Sequence, residues 1–133
     1  NFYQIKTEDK AIVIAGRSRL VSSPLAKILS SKSYNANVTV IHSKTSNQKQ
    51  FITQADIFIS AVGSAKLYDF SYFKQGATII DIGISSVDGK TYGDIDTQNL
   101  SEVASCRSPF PGGVGPITVS ALFFNLSRLL KTN

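Results

Sequence analysis

The chain has 133 residues, of which 42% are hydrophobic and 17% are charged, a composition typical of one globular domain and not of a disordered segment. No apolar run approaches the roughly 18 residues that cross a bilayer, and the first ten residues lack the features of a signal peptide. The single cysteine, Cys106, excludes an internal disulfide, so we expect a cytoplasmic protein.

Four short apolar runs predict strands, and helical segments separate them. The runs hold four or five residues without polar alternation, which is typical of strands buried on both faces. They cover Ala11–Ala15, Val38–Ile41, Ile57–Ala61 and Thr78–Ile82. We expect helices over Pro24–Ser33, Asn47–Ala55 and Asp69–Phe73, and a last helix from Ile117 to Lys131 that follows Pro116.

This alternation predicts an α/β fold, a Rossmann-like, doubly wound and mainly parallel sheet in a single domain. Asp88 and Gly89 predict a hairpin-like excursion within 86–93. Ligands of such sheets bind at the carboxyl ends of the strands, so the loops that follow the apolar runs are the candidate site.

The loop after the first run only partly matches a dinucleotide-binding fingerprint. The pattern G-x-G-x-x-G would place glycines at 16, 18 and 21, where this chain has Gly16, Ser18 and Val21. As a fingerprint this match alone is weak. The alternative is that Gly16 is a turn residue and that Ser18 or Ser22 is a helix cap.

The loop after the second run, His42–Thr45, carries no acidic residue. Sites for NAD usually place an acid there to accept a hydrogen bond from the ribose 2′-OH. A basic loop suits a 2′-phosphate instead, with Arg17 as a forked donor, Ser43 as a donor and Lys44 as a point charge. The alternative is that these residues only begin the next helix and that Lys44 is solvated.

The later loops combine small residues with glycine. Ala61, Val62 and Gly63 follow the third run, Asp81–Ile84 ends the fourth, and the segment 109–118 holds a dense group of prolines and glycines before a helix. We interpret His42 as a loop residue near an adenosine rather than a general base. Asp94 and Asp96 have the spacing of paired carboxylates, but a turn that caps the following helix explains them at least as well.

The positive charge is concentrated in the first part of the chain. Residues 1–50 carry eight basic and two acidic side chains, whereas the whole chain carries 14 basic and 9 acidic side chains and has a net charge of +5. A small-anion pocket, a nucleic-acid or membrane surface, and a merely lysine-rich exterior are all compatible with this distribution. The five Tyr and eight Phe lie mostly within apolar runs and not between basic residues, so we expect no nucleic-acid partner. We also expect no membrane partner.

From Tyr3 to Lys131 the order of these motifs resembles the bifunctional methylenetetrahydrofolate dehydrogenase/methenyltetrahydrofolate cyclohydrolase family. The blocks are AIVIAGRS (11–18), VTVIHSKT (38–45), AVG (61–63), DIGI (81–84), GDID (93–96) and, most specific, PGGVGPIT (111–118). Two positions depart from the family pattern: Ser22 stands where Gly is usual, and Ser85 stands where Asn is common.

Together with the loop analysis, the resemblance implies the NAD(P)-binding domain of such an enzyme, with NADP favoured over NAD and no metal. Tetrahydrofolate derivatives would bind with an N-terminal domain that carries the catalytic Lys and Tyr, and the loop of Pro111, Gly112, Gly113 and Val114 would border that cleft. Cofactor contacts would come from Gly16, Arg17, Ser18, His42, Ser43, Lys44, Thr45, Ala61, Val62, Gly63, Ile84 and Thr118.

The resemblance also implies a division of the chain and of the chemistry. Residues 1–10 would end an inter-domain linker helix, and residues 11–133 would form the cofactor domain of a homodimer. In the family, hydride passes from 5,10-methylenetetrahydrofolate to the oxidised cofactor, and water then opens the methenyl product. The isolated chain would bind NADP without catalysis; the alternative is a stand-alone, non-catalytic NAD(P)-binding module.

Overall fold

The computed structural model describes residues 4–130, and its centre is a parallel sheet of five strands in the order β2-β1-β3-β4-β7. Two further strands form an antiparallel hairpin. The strands are β1 (Ala11–Ala15), β2 (Asn37–Ile41), β3 (Ile57–Ser60), β4 (Ala77–Asp81), β5 (Ser85–Val87), β6 (Lys90–Tyr92) and β7 (Ala104–Arg107). The helices are α1 (Ser22–Leu29), α2 (Gln48–Ile52) and α3 (Val114–Leu130), with 3-10 turns at Phe70–Tyr72 and Leu100–Glu102.

The strand order confirms the predicted doubly wound α/β fold. From β1 the chain crosses to β2 on one side, then returns to place β3 on the other side of β1. The order therefore reverses between β1 and β3, which opens a crevice at the carboxyl ends of these strands. The predicted hairpin is confirmed as β5 and β6.

All four predicted strands are present within one residue at each end, but β7 was missed. It lies at the sheet edge, and its sequence ASCR alternates between half-buried and exposed residues instead of forming an apolar run. Polar residues are tolerated there because only one side of an edge strand is paired.

The predicted helices are correct in place but not in length. Helix α1 begins at Ser22, α2 is only five residues long, and the segment predicted as Asp69–Phe73 is a 3-10 turn. Helix α3 begins at Val114, three residues before the predicted start, and Lys131 lies outside the described residues. Residues 4–10 contain no helix, so the expected linker helix is wrong for that part; residues 1–3 are not described.

Two apolar clusters cover the two faces of the sheet. Adjacent residues of a strand point to opposite faces, so Phe58 joins one cluster while Ile57 and Ile59 join the other. Phe58 is fully buried and its ring lies 5.1 Å from that of Tyr68 and 5.3 Å from that of Phe73, measured between ring centroids. Burying a side chain of this size contributes about 1.5–3 kcal/mol, which makes Phe58 a main anchor of the sheet.

Helix α3 contrasts with the rest of the molecule, because none of its residues is buried. Ile117, Leu122, Phe123 and Leu129 are each 66–69% exposed. Among the described residues no helix is both long and apolar enough to cross a membrane.

Candidate functional site

A cavity of about 800 Å³ lies where the fold predicts a ligand site, at the carboxyl ends of β1, β2 and β3. It is bounded by the loops that follow these strands and by the 67–72 segment. Its described lining residues are Gly16, Arg17, Ser18, His42, Ser43, Thr45, Asn47, Gln48, Lys49, Ala61, Val62, Leu67, Tyr68 and Tyr72.

Gly16 forms the floor of the cavity through a close approach of two backbones. Its φ is +114°, and a Cβ at this position would lie 2.5 Å from the carbonyl oxygen of Ala61. The Gly16 N–H donates to the Ile41 carbonyl at 2.9 Å, so the same residue is also tied to the end of β2. Only glycine allows the ends of β1, β2 and β3 to meet in this way.

Helix α1 begins beside Gly16 without the expected side-chain cap. Its N-cap is Val21, and neither Ser18 nor Ser22 caps it, so that interpretation is wrong. The Ser18 hydroxyl instead accepts from the Leu20 N–H at 3.1 Å. Ser22 is fully buried, and its hydroxyl has no hydrogen-bond partner within residues 4–130. The Ser22 hydroxyl oxygen lies 3.1 Å from the position that a Cβ at Gly16 would occupy.

The loop after β2 is closed by its own hydrogen bonds. The His42 N–H donates to the Thr45 hydroxyl at 3.0 Å, and the Thr45 N–H returns a bond to the His42 carbonyl at 2.7 Å. The Lys44 N–H donates to His42 Nδ1 at 3.2 Å. The turn presents His42, Ser43 and Thr45 to the cavity, whereas Lys44 is exposed and does not line it.

Lys49 and Arg17 are the lysine and arginine among the described lining residues, whereas the predicted Lys44 is not among them. The Lys49 Nζ donates to the Ser71 hydroxyl at 3.0 Å and lies 5.1 Å from the centroid of the Tyr72 ring, within the range of a cation–π interaction. Lys49 was not predicted from the sequence, because its position depends on how α2 packs beside the 67–72 segment.

Tyr68 and Gln48 form a neutral wall that the sequence analysis also missed. The Tyr68 hydroxyl donates to Gln48 Oε1 at 3.2 Å. Burial, together with the nearby charge of Asp94 and the Tyr72 phenol, raises the pKa of Tyr68 to about 12. Tyr68 therefore keeps its proton at neutral pH and acts as a hydrogen-bond donor, not as a base. No local sequence pattern predicts that Tyr68 lines the cavity, because its position depends on packing against Phe58.

Two carboxylates lie beneath the loops and not in the cavity lining. Asp81 accepts backbone N–H bonds from Gly83, Asp94 and Ile95, each at 3.1 Å. Burial is the main cause that raises the pKa of Asp81; these hydrogen bonds oppose the rise, and the nearby Asp94 adds to it. Both are buried, and Asp94 is fully inaccessible.

Asp94 is therefore not the helix-capping turn residue predicted from the sequence. Its carboxylate accepts from the Ser60 hydroxyl at 2.6 Å and from the N–H groups of Val62 and Ser64, both at 2.8 Å. Asp96 does form a turn, because its carboxylate accepts from the Gln98 N–H at 3.2 Å.

Four other predicted cofactor contacts, Lys44, Gly63, Ile84 and Thr118, are not among the described lining residues. Gly63 has a φ of +76°, and its Cβ position lies 3.7 Å from the Ile84 carbonyl, just behind the Ala61–Val62 wall. Thr118 is exposed on α3, and its hydroxyl donates to the Val114 carbonyl at 3.2 Å.

The predicted cleft loop lies at a different cavity. Gly112, Gly113 and Val114 line a space of about 310 Å³ next to β4 and β7. Pro111 is not among its described lining residues, and Val114 is the first residue of α3 rather than part of the loop.

Comparison with known proteins decides the family. The model of the tetrahydrofolate dehydrogenase/cyclohydrolase NAD(P)-binding domain matches residues 1–133. The chain belongs to this family. The bifunctional protein FolD of Acholeplasma laidlawii is 43% identical over 129 residues, and that of Clostridium perfringens strain SM101 is 44% identical over 128 residues.

Solved structures agree with the family assignment. The bifunctional FolD dehydrogenase/cyclohydrolase of Campylobacter jejuni has a TM-score of 0.92 at 36% identity and covers 98% of this chain. The FolD enzyme of Trypanosoma brucei, solved in complex with NADP cofactor and an inhibitor, has a TM-score of 0.89 at 31% identity. The chain spans about half the length of these relatives: 46% of the Acholeplasma protein and 46% of the Campylobacter chain.

Proposed function

We propose that this chain binds NADP, with NAD less favoured, in the cavity at the ends of β1, β2 and β3. The observation that carries the proposal is the charge of this cavity: Arg17 and Lys49 line it, while none of its described lining residues is acidic. An acid that accepts from a ribose 2′-OH is what an NAD site would place after β2, and Ser43 stands in that loop instead. Donors and cations suit a 2′-phosphate.

The residues present also fit the rest of a dinucleotide. A pyrophosphate needs a close backbone approach at the first glycine and the positive end of a helix. Gly16 provides the first requirement through its φ of +114°, and α1 provides the second directly after the same loop. The hydroxyls of Ser18, Ser43 and Thr45 supply further donors.

We further propose that this chain is the cofactor half of a bifunctional 5,10-methylenetetrahydrofolate dehydrogenase/5,10-methenyltetrahydrofolate cyclohydrolase. When bound, oxidised NADP supplies the acceptor for a hydride from the methylene carbon. The residues of this chain bind and orient the cofactor, while the catalytic residues and most of the folate site belong to a companion domain. The segment 111–114 would border the folate cleft, and the isolated chain would not catalyse the reaction.

The exposed helix α3 supports a companion domain. A helix that exposes many large apolar side chains and buries none indicates a surface that a partner covers. Phe123 and Phe124 are 66% and 62% exposed, and Leu130 is 71% exposed. The relatives are about twice as long as this chain, so the other half of the same polypeptide is the occupant that we propose.

The expected homodimer and the expected cytoplasmic location belong to the same proposal. Strand β2 is at one edge of the sheet, and Val40 on it is 40% exposed, which offers a surface for a second copy. Sedimentation equilibrium across a range of protein concentrations tests the dimer.

Calorimetric titration with NADP and NAD tests the cofactor assignment. We expect the native chain to bind NADP more tightly than NAD. Arg17→Ala should weaken NADP binding by about 1–3 kcal/mol, the range of a charge-assisted hydrogen bond, and should leave NAD binding nearly unchanged. Arg19→Ala is the matched control, because Arg19 is an exposed arginine of the same loop that does not line the cavity.

Three results would contradict parts of this proposal. No binding of either cofactor would overturn the binding site itself. A preference for NAD would overturn the assignment of a 2′-phosphate. Equal losses for NADP and NAD in Arg17→Ala, or an equal loss of NADP binding in Arg19→Ala, would remove Arg17 from the phosphate site.

A further inference from the structure

We infer that Asp94 is a positioning residue of the cofactor cavity, which acts by fixing the loop after β3; the inference rests on the proposed function. Asp94 itself does not touch the cavity, because its side chain is completely inaccessible. It acts through residues 61–64, of which Ala61 and Val62 line the cavity.

Three hydrogen bonds hold the carboxylate of Asp94 against the loop after β3. Asp94 Oδ2 accepts from the Ser60 hydroxyl at 2.6 Å and from the Val62 N–H at 2.8 Å, while Oδ1 accepts from the Ser64 N–H at 2.8 Å. Both carboxylate oxygens are therefore used, and two of the three donors are backbone groups on either side of Gly63. A buried carboxylate needs hydrogen-bond donors around it, because burying an unpaired charge in the interior is very unfavourable.

These hydrogen bonds also fix the direction in which the backbone N–H groups of the loop point. The N–H groups of Val62 and Ser64 are bound by Asp94, so they are unavailable to phosphate oxygens. The Val62 side chain is 42% exposed at the cavity wall. Asp94 thus makes this wall an apolar surface of fixed shape and leaves phosphate binding to the loop after β1.

Asp94 is itself held in place by Asp81. The Asp94 N–H donates to Asp81 at 3.1 Å, so a second buried carboxylate holds the backbone of the first. A Cβ at Gly83 would overlap the carboxylate of Asp94, and a Cβ at Gly93 would overlap that of Asp81. The two glycines therefore leave room for the carboxylates, and the loops after β3 and β4 are held by one connected network.

The decisive variant is Asp94→Asn. The amide keeps the shape but replaces one acceptor oxygen with an NH₂ group, which faces an existing donor. We expect the Kd for NADP to rise about tenfold or more, in line with loss of hydrogen bonds to a charged group. Ser60→Ala, which removes only the 2.6 Å bond, should raise the Kd less.

Two control variants separate positioning from stability. Asp96→Asn makes the same chemical change two residues away, at a carboxylate that pairs with Lys66 at 3.8 Å on the surface. Leu29→Ala should lower the stability of the fold without touching the loop after β3. Leu29 belongs to the apolar cluster on the face of the sheet opposite to Phe58. Both should retain the native Kd for NADP at a temperature below their unfolding transitions.

Amide NMR spectra give a readout that general destabilisation would not move. N–H groups bound to a carboxylate resonate downfield, so the Val62 and Ser64 signals should move upfield in Asp94→Asn. Those signals should stay in place in Leu29→Ala, and the Val13 amide on β1 should stay in place in both.

Each outcome decides the inference. If the native chain does not bind NADP, the proposed function falls and this inference with it. If the native chain binds NADP and a folded Asp94→Asn protein binds it equally well, only this inference is overturned. A loss in Asp94→Asn no larger than that in Leu29→Ala also overturns it. If Asp94→Asn does not fold, Ser60→Ala decides: a raised Kd with displaced Val62 and Ser64 amide signals supports positioning, and a native Kd overturns it.

Discussion

Replacing Gly16 by alanine should destabilise this fold more than the same change at Gly89 or Gly115, where the Cβ position has open space around it. At Gly16 a Cβ would lie 2.5 Å from the Ala61 carbonyl oxygen and 3.1 Å from the Ser22 hydroxyl. The first contact is with backbone at the end of β3, which cannot rotate away. The φ of +114° is, in addition, a conformation that L side chains rarely adopt.

The expected magnitude combines two costs. A strained backbone conformation costs about 1–3 kcal/mol. Overpacking a close contact costs about 1–3 kcal/mol more. Gly16→Ala should therefore lower the free energy of unfolding by about 2–6 kcal/mol, a large part of the roughly 5–15 kcal/mol available to a domain.

Two glycines of the same chain serve as controls. Gly89 has a φ of +73° with nothing within 4 Å of its Cβ position, so Gly89→Ala isolates the backbone strain. Gly115 lies in the first turn of α3, also with open space around its Cβ position. Gly115→Ala should stabilise the helix by up to about 1 kcal/mol.

Urea unfolding followed by tyrosine fluorescence measures all three variants, since the chain has five Tyr and no Trp. We expect the free energy of unfolding to fall most for Gly16→Ala, less for Gly89→Ala, and to rise for Gly115→Ala. Equal losses for Gly16→Ala and Gly89→Ala would refute the contact with Ala61 as the reason for glycine at position 16.

Two further predictions concern the core and the acid stability. Phe58→Ala should lower the free energy of unfolding by about 3–5 kcal/mol, because Phe58 is completely buried; a loss below 1 kcal/mol in urea unfolding would contradict its role as an anchor. Asp56 accepts from Lys74 Nζ at 2.7 Å and from the Ala11 N–H at 2.9 Å, and these bonds lower the pKa of the Asp56 carboxyl below its ordinary 3.8. The folded protein thus holds this proton less tightly than the unfolded chain, so the stabilisation is complete above the unfolded pKa and is lost as the pH falls through the lowered pKa. Asp56→Asn should therefore lower the free energy of unfolding by about 1 kcal/mol at pH 7, and the difference from the native chain should vanish in strong acid. Thermal unfolding from pH 7 to pH 2 measures this difference. A difference in stability that grows on acidification would contradict the lowered pKa of Asp56.

The sequence determined the parts of this protein that depend on local pattern. Continuous apolar runs predicted four of the five parallel strands, because a strand buried on both faces needs apolar residues at every position. The loops that contain Gly16, Ser43 and Val62 follow three of these strands, and the carboxyl ends of parallel strands lie at one edge of the sheet. They do line one cavity in the structure.

Element boundaries were less well determined. Strand β7 was missed because an edge strand tolerates the polar residues Ser105 and Arg107. Helix α3 begins at Val114, before the predicted start. Because glycine and proline are allowed in a first helical turn, their presence did not show where the helix begins.

The tertiary structure alone decided which charged groups face the cavity and which are buried beneath it. Lys44 and Lys49 are equally basic in sequence, but only the packing of α2 against the 67–72 segment brings Lys49 to the cavity. Asp94 and Asp96 form one motif, yet Asp94 is buried against the loop after β3 while Asp96 lies nearer the surface. The physical reason is that burial and hydrogen bonding depend on residues 20 to 35 positions away, which no local pattern contains.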